Sequence, residues 1–337
     1  MQSTPFAILT GFLGSGKTTL LNRLLTDPGM SETAVLVNEI GEIGLDHWLL
    51  ETVTDGVVLL ESGCVCCSVR EDLAGALASL LEKRCARAVP QFRRIILETT
   101  GIAVPGPIVQ LVLADDELAT QLRPIRVATV VDALLGQRAL ELHIECSEQV
   151  AMADRLVLSK LDLAERDQAA ALLRRLRCLN SSAPVLHSGI DSLDPEELFG
   201  TDPALPTDPP TRLYTVDYRT GESDRGHHEK RFTTFSLSWN RPLDWPEFEA
   251  WLEGLLIARG EDILRLKGLL NVAGRTRPVV VQGVQHTIYP PTELPRWPGG
   301  PPRTELTFVT RDFSKTAALR SLEPFFDLGR IGAASVS

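Results

Sequence analysis

Three cysteines fall within four positions in ESGCVCCSVRED, residues 61–72: Cys64, Cys66 and Cys67, half of the six in a chain of 337 residues. In a reducing compartment, thiols this close are more often metal ligands or redox groups than structural cross-links. Cys64 and Cys66 are two apart, so an extended segment can turn both toward one ion, whereas Cys67 points away unless the chain turns. Ser68 and Glu71 fit a capping box before the apolar-periodic LAGALASLLEK, which sets the thiols just ahead of a helix N-terminus. Exposed N–H groups and the positive end of the helix dipole favour thiolate there, the form that binds a metal. A tetrahedral Zn²⁺ site takes three or four protein ligands. VNEIGEIGLDH, residues 37–47, offers Glu39, Glu42 and His47 to complete it. Co²⁺ accepts the same ligands, because geometry and supply decide selectivity more than ligand type does. A redox-active thiol cluster is the competing reading.

A second chemistry lies upstream. GFLGSGKT, from Gly11 to Thr18, follows the apolar FAILT and precedes the helical TTLLNRLL, the strand-to-helix setting that a phosphate-binding loop requires. Gly11, Gly14 and Gly16 let backbone N–H groups converge on phosphate oxygens, with Ser15 and Thr19 among the nucleotide contacts. Lys17 reaches the β and γ phosphates and the Thr18 hydroxyl binds Mg²⁺. RIILETTG ends an apolar run in Glu98, a carboxylate for the magnesium shell. Gly101 follows three residues on, where its N–H can face the γ-phosphate and act as a switch. Thr99 or Thr100 is the candidate to orient the attacking water. VLSKLD, residues 157–162, follows another strand where guanine-reading proteins carry Asn-Lys-x-Asp. Asp162 can accept from the guanine N1–H and exocyclic amine while the Lys160 stem covers the ring, which favours GTP and GDP over adenine nucleotides. Ser159 stands in the place of Asn, a loss of about 1 kcal/mol of hold on the base. A phosphotransferase using the same loop fits less well, since no substrate-acid constellation accompanies it.

These groups need a scaffold, and the hydrophobic pattern supplies one. FAIL, AVLV, VVLL, RIIL, VATVV, RLVL and PVLH alternate with helix-length segments through the first 200 residues, which predicts a parallel sheet covered on both faces. The expected fold class is therefore α/β: a P-loop NTPase domain with a doubly wound, mainly parallel sheet over 1–200, a linker at 201–212, and a smaller α+β domain over 213–337. LFGTDPALPTDPPTRL reads as Pro-rich connection, and residues 221–230 as a polar loop. The second domain shows strands at RFTTFSLSW, PVVVQGV and RTELTFVTR, a helix at DWPEFEAWLEGLLIAR, and Trp239, Trp245, Trp251 and Trp297, expected to be core. Cys85, Cys146 and Cys178 are scattered and expected to be buried. Forty-four acidic against 34 basic residues give −10, which argues against a nucleic-acid or anionic-membrane partner. The start lacks the pattern of a signal peptide, so the expected location is cytoplasmic. A homo-oligomer is compatible with the sequence.

Taken together, GFLGSGKTT, VNEIGEIGLD, ESGCVCCSVREDL, ILETTGIAVPGPI, VVDA, ADRLVLSKLD, LRLKGLL and VVVQGV resemble the successive motifs of the CobW-type GTPases, relatives of the urease and hydrogenase nickel-insertion GTPases. The resemblance implies a GTPase domain followed by a CobW C-terminal domain, acting as a GTP-dependent metal chaperone that delivers zinc, or cobalt, to a client metalloprotein. It matches the family's C-x-C-C metal motif to Cys64, Cys66 and Cys67, its loop carboxylates to Glu39 and Glu42, and its Walker B acid to Glu98. Cobalt handling in cobalamin synthesis and nitrile hydratase activation are alternatives within the family. A thiol redox sensor with a regulatory nucleotide site is the alternative outside it. Where many members carry a His-rich tract, this chain has only His227 and His228.

Overall fold

The computed structural model describes residues 3–38, 49–54, 57–62, 69–188, 193–200 and 232–325. The chain divides into two compact units, taken here one at a time.

The first unit runs β1 (Thr4–Thr10), α1 (Lys17–Leu24), β2 (Thr33–Asn38), β3 (Leu49–Thr54), β4 (Val57–Ser62), α2 (Val69–Cys85), β5 (Arg94–Glu98), α3 (Gly106–Ala114) and α4 (Asp116–Gln121). It continues with β6 (Leu122–Asp132), α5 (Gly136–Leu142), α6 (Ile144–Met152), β7 (Arg155–Ser159), α7 (Arg166–Leu179), β8 (Val185–His187) and α8 (Pro195–Phe199). The eight strands form one sheet in the order β3-β4-β2-β5-β1-β6-β7-β8. Every neighbouring pair is parallel except β3 on β4. LLETVT thus adds an antiparallel edge strand that the apolar pattern does not announce.

Continuous burial along β5 and nearly all of β1 and β7 means that both faces of the sheet are covered. A period-two strand with one wet face would alternate instead. Leu9, Leu21, Ile96, Val130 and Val157 are at most 1% exposed and pack into one core. Each such side chain contributes roughly 1.5–3 kcal/mol of transfer free energy relative to exposure. Leu198 and Phe199 belong to that core, at 0% and 2% exposure. The start of LFGTDPALPTDPPTRL is therefore helix, capped by Asp194 through the Glu196 N–H with Pro195 at its first position. Proline density misleads here because one short amphipathic turn buries two large residues before the prolines begin. The linker at 201–212 and the loop at 221–230 lie outside the described residues.

In the second unit, β9 (Phe232–Trp239), α9 (Trp245–Arg259), β10 (Ile263–Leu270), β11 (Val279–Val284), β12 (Thr287–Ile288), β13 (Thr292–Glu293), β14 (Thr304–Arg311) and α10 (Lys315–Leu322) build an antiparallel sheet. Its order is β12-β11-β10-β14-β9, with β13 also on β11. LRLKGLL and VVVQGV are thereby neighbouring strands, with Lys267 opposite Gln282 and Gly268 opposite Val281. Trp251, 1% exposed, is central to this core and donates Nε1–H to Ser321 Oγ at 3.0 Å. Trp239 and Trp245 pack against it, whereas Trp297 is half-buried outside it and donates to the Thr276 carbonyl at 3.2 Å.

Of the scattered cysteines only Cys146 is fully buried; Cys85 is exposed and Cys178 half-buried. Burial and then the neighbouring Glu145 push the Cys146 thiol up to about 12, which makes it unreactive at neutral pH. Among the described residues no helix is long and apolar enough to cross a membrane.

Phe199→Ala tests whether α8 is core. Removing a fully buried ring is expected to cost roughly 3–5 kcal/mol, read as a lowered denaturant midpoint by circular dichroism. A loss below about 1 kcal/mol would return this helix to the linker.

Candidate functional site

Parallel pairing brings the informative residues to one edge of the sheet. β1 lies between β5 and β6, with Leu9 beside Glu98 and Thr10 beside Thr129. The chain therefore leaves the carboxyl end of β1 at a topological switch point, the crevice where open α/β sheets bind ligands. Gly11, Gly14 and Gly16 all have positive φ, 143°, 73° and 90°, which only glycine adopts readily. At Gly11 a Cβ would also stand 2.3 Å from the Val130 carbonyl oxygen.

Gly16 caps α1 with no side-chain hydrogen bond, so the first N–H groups of that helix remain available to an anion. Ser15 Oγ is buried without a hydrogen-bond partner among the described residues. A loop of positive-φ glycines, an uncapped helix start and an orphaned buried hydroxyl together suit a phosphate chain. Thr19 is exposed on the first turn of α1.

Lys17 folds back on this loop, donating from Nζ to the Gly11 carbonyl at 2.9 Å and to that of Phe12 at 3.4 Å. Burial lowers its pKa from 10.5, and the Glu98 carboxylate opposes that shift. Glu98, 3% exposed, accepts from the Thr18 hydroxyl at 2.5 Å. Thr18 thus spends its proton on Glu98 and keeps oxygen lone pairs for a cation. Thr18 and Glu98 present adjacent oxygen donors of the kind a hard cation such as Mg²⁺ prefers.

The turn after β5 is packed against the phosphate loop. A Cβ on Gly101 would stand 2.6 Å from the Leu13 backbone nitrogen, so no larger residue fits without displacing one segment. The Thr99 hydroxyl points into the interior, 3.0 Å from Thr10 Oγ1 at 2% exposure, which removes it as a group that orients solvent. Thr100 is half-buried.

On the other flank, Ser159 Oγ donates to the Ser15 carbonyl at 2.6 Å. The residue standing in the place of Asn is therefore committed to tying the strand end of VLSKLD to the phosphate loop. Lys160, at φ 55°, donates to the Gly14 carbonyl and to Asp132 Oδ2, both at 2.7 Å. Asp132 Oδ1 accepts from the backbone of Leu134 and Leu135, which orients the carboxylate. Asp162 is exposed on the turn that follows. Sequence reasoning assigned Asp132 no role, although it ends an apolar strand in a carboxylate just as Glu98 does.

Glu39, Glu42, His47, Cys64, Cys66, Cys67, Ser68 and the His227–His228 pair lie outside the described residues. What surrounds the thiols in the chain is described: β4 ends at Ser62 and α2 begins at Val69.

Fold and strand-end residues together define a P-loop nucleotide-binding protein. Residues 5–187 match the CobW/HypB/UreG nucleotide-binding domain, and residues 232–325 the cobalamin synthesis protein cobW C-terminal domain. The chain belongs to this CobW family. It is 30% identical over 309 residues to the zinc chaperone YjiA of Escherichia coli, covering 92% of this chain and 94% of that one. It is 30% identical over 327 residues to the zinc chaperone CobW of Pseudomonas aeruginosa, covering 84% and 81%. Zinc-regulated GTPase metalloprotein activator 1 of Schizosaccharomyces pombe is 32% identical over 201 residues, 58% of this chain and 48% of that protein. The crystal structure of Zn(II)-bound YjiA GTPase matches the fold with a TM-score of 0.72 at 27% identity, covering 97% of this chain and all of that one.

Two measurements probe this geometry. Asp132→Ala is expected to free Lys160 and weaken nucleoside di- and triphosphate binding equally, by roughly tenfold for a lost charge-assisted bond. Loss of triphosphate binding alone would contradict a base-side role. For Lys17 the sign follows from its lowered pKa. Bound phosphates favour the ammonium, so binding takes up protons wherever the free lysine is partly neutral, and affinity falls as pH rises toward 10.5. Calorimetry in buffers of different ionisation enthalpy reads that uptake; a flat profile to pH 10.5 would remove Lys17 from the phosphate site.

Proposed function

We propose that this chain is a GTPase that carries zinc and hands it to a client metalloprotein, with nucleotide state setting the grip on the metal. The observation that carries the coupling is the parallel pairing of β2 with β4, in register from Thr33 opposite Val57 to Asn38 opposite Ser62. The chain leaves these two strands side by side, about 5 Å apart, and enters the segments holding Glu39 and Glu42 on one side and Cys64, Cys66 and Cys67 on the other. β5 is the next strand, with Glu98 beside Val37. Carboxylates, thiols and the phosphate-side acid thus issue from three consecutive parallel strands.

Asp162 and Lys160 read guanine, and Gly11 through Thr19 hold the phosphates. On nucleotide binding Lys17 exchanges the Gly11 and Phe12 carbonyls for the β and γ phosphates. Mg²⁺ would be held by Thr18 and Glu98, and supplies neutralisation of charge on those phosphates. The Gly101 N–H faces the γ-phosphate, so hydrolysis releases the turn after β5. Loss of the γ-phosphate also withdraws Glu39 and Glu42, leaving zinc on Cys64, Cys66 and Cys67 and ready for a stronger site on the client. Three observations support zinc and GTP: the thiol–carboxylate set suits zinc, two relatives are named zinc chaperones, and a third is named a zinc-regulated GTPase.

The test is zinc affinity by competition with a chromophoric chelator, in reducing buffer, with no nucleotide, with GDP and with a non-hydrolysable GTP analogue. Coupling of about 1–3 kcal/mol, a 5- to 150-fold difference between states, is expected. Equal constants would sink the linkage. Cys66→Ser/Cys67→Ser is expected to lose tight zinc while retaining nucleotide, and unchanged zinc affinity would refute the thiol site. Repeating the titration with Co²⁺ ranks the two metals.

A further inference from the structure

Behind the phosphate loop lies a buried polar cluster to which the scheme above assigns no part. Gln149, on α6 and 1% exposed, reaches across to the turn after β5. Its Nε2 donates both protons, to the Gly101 carbonyl at 3.2 Å and to the Ala103 carbonyl at 2.9 Å. The Gln149 backbone carbonyl accepts from the Thr129 hydroxyl at 2.9 Å. Thr10 Oγ1 donates to the same Ala103 carbonyl at 3.3 Å and lies 3.0 Å from Thr99 Oγ1. A buried amide with two carbonyls to satisfy is costly to place and costly to lose, so it holds its partners to one geometry.

The same helix is also attached to the phosphate loop. His143 is its N-cap residue, and its ring stacks on Phe12 with centroids 4.5 Å apart and planes inclined by 28°. One element therefore touches both segments: the phosphate loop through Phe12 at its start and the Gly101 turn from its interior. The Gly101 N–H shares its peptide plane with the Thr100 carbonyl, which accepts from the Ala103 N–H at 3.1 Å, so the direction of that N–H depends on where the turn from Thr100 to Ala103 is held by its Gly101 and Ala103 carbonyls.

We infer that Gln149 is a positioning residue for the triphosphate-sensing turn. By gripping the Gly101 and Ala103 carbonyls it holds the Gly101 N–H toward the γ-phosphate and so sets the discrimination between GTP and GDP. This rests on the reading of Gly101 given above. Gln149 touches no phosphate itself, and GDP binding does not use the turn. Removing the amide is therefore expected to act on triphosphate binding alone.

Gln149→Leu keeps comparable bulk and removes both donors. Titrated with GDP and with a non-hydrolysable GTP analogue in the presence of Mg²⁺, it is expected to hold GDP within about twofold of the parent and to lose roughly tenfold in affinity for the analogue, as for two net hydrogen bonds. If the leucine variant does not fold, Gln149→Asn carries the test. It retains an amide one methylene too short to reach both carbonyls, and the same selective loss is expected. A merely structural role would lower both affinities together or only the melting temperature. An unchanged ratio of analogue to GDP affinity in these variants, with normal binding by the parent protein, overturns this inference and leaves the GTPase reading standing. Failure of the parent protein to bind either guanine nucleotide overturns both.

Discussion

Parallel pairing of β4, β2, β5 and β1 is the constraint on which the remainder depends. In a parallel sheet every strand exits at the same edge, so residues far apart in the chain are delivered to one line of positions a strand spacing apart. Leu9 beside Glu98, Val37 beside Glu98 and Asn38 beside Ser62 are consecutive steps along that line. Were β4 or β5 antiparallel, its chemistry would emerge on the far edge, roughly a strand length away. The antiparallel β3 is tolerated because it sits outside this line, at the end of the sheet.

Along that edge the groups are held at different stiffness. Glu98 and Thr18 are joined by a short hydrogen bond, while Lys17 is buried, rests on the Gly11 carbonyl, and has its charge disfavoured by burial. The end of β7 is braced by Ser159 on the phosphate loop and by Asp132 on Lys160. The turn after β5 is braced by Gln149 from α6. The turn after β5 and the end of β7 therefore hang from separate supports, so one can shift without dislodging the other.

Much of this was legible beforehand. The glycine pattern between an apolar strand and a helical segment identifies a phosphate loop because few other functions need three positive-φ positions before a lysine. Glu98 could be placed because it ends an apolar strand, and the structure sets it beside Thr18; Asp162 follows such a strand and lies exposed on the turn after it. Leu198 and Phe199 were misread because proline content describes solvent-exposed chain and says nothing of one short turn before it. Gln149 carried no local signal: a glutamine inside a helix is ordinary until the residues opposite it are known.

The sequence by itself determined residue chemistry and chain-local geometry: which glycine loop can cradle phosphate, which strand ends in a carboxylate, and which family the chain joins. Tertiary structure alone decided adjacency. Ser159 meets Ser15, Lys160 meets Asp132, and Gln149 meets Gly101 because strand order and helix packing bring together positions 144, 28 and 48 residues apart. Side-chain type and spacing encode what a residue can do. Only the assembled sheet, with its buried polar groups forced to find partners, decides which residue it does it with.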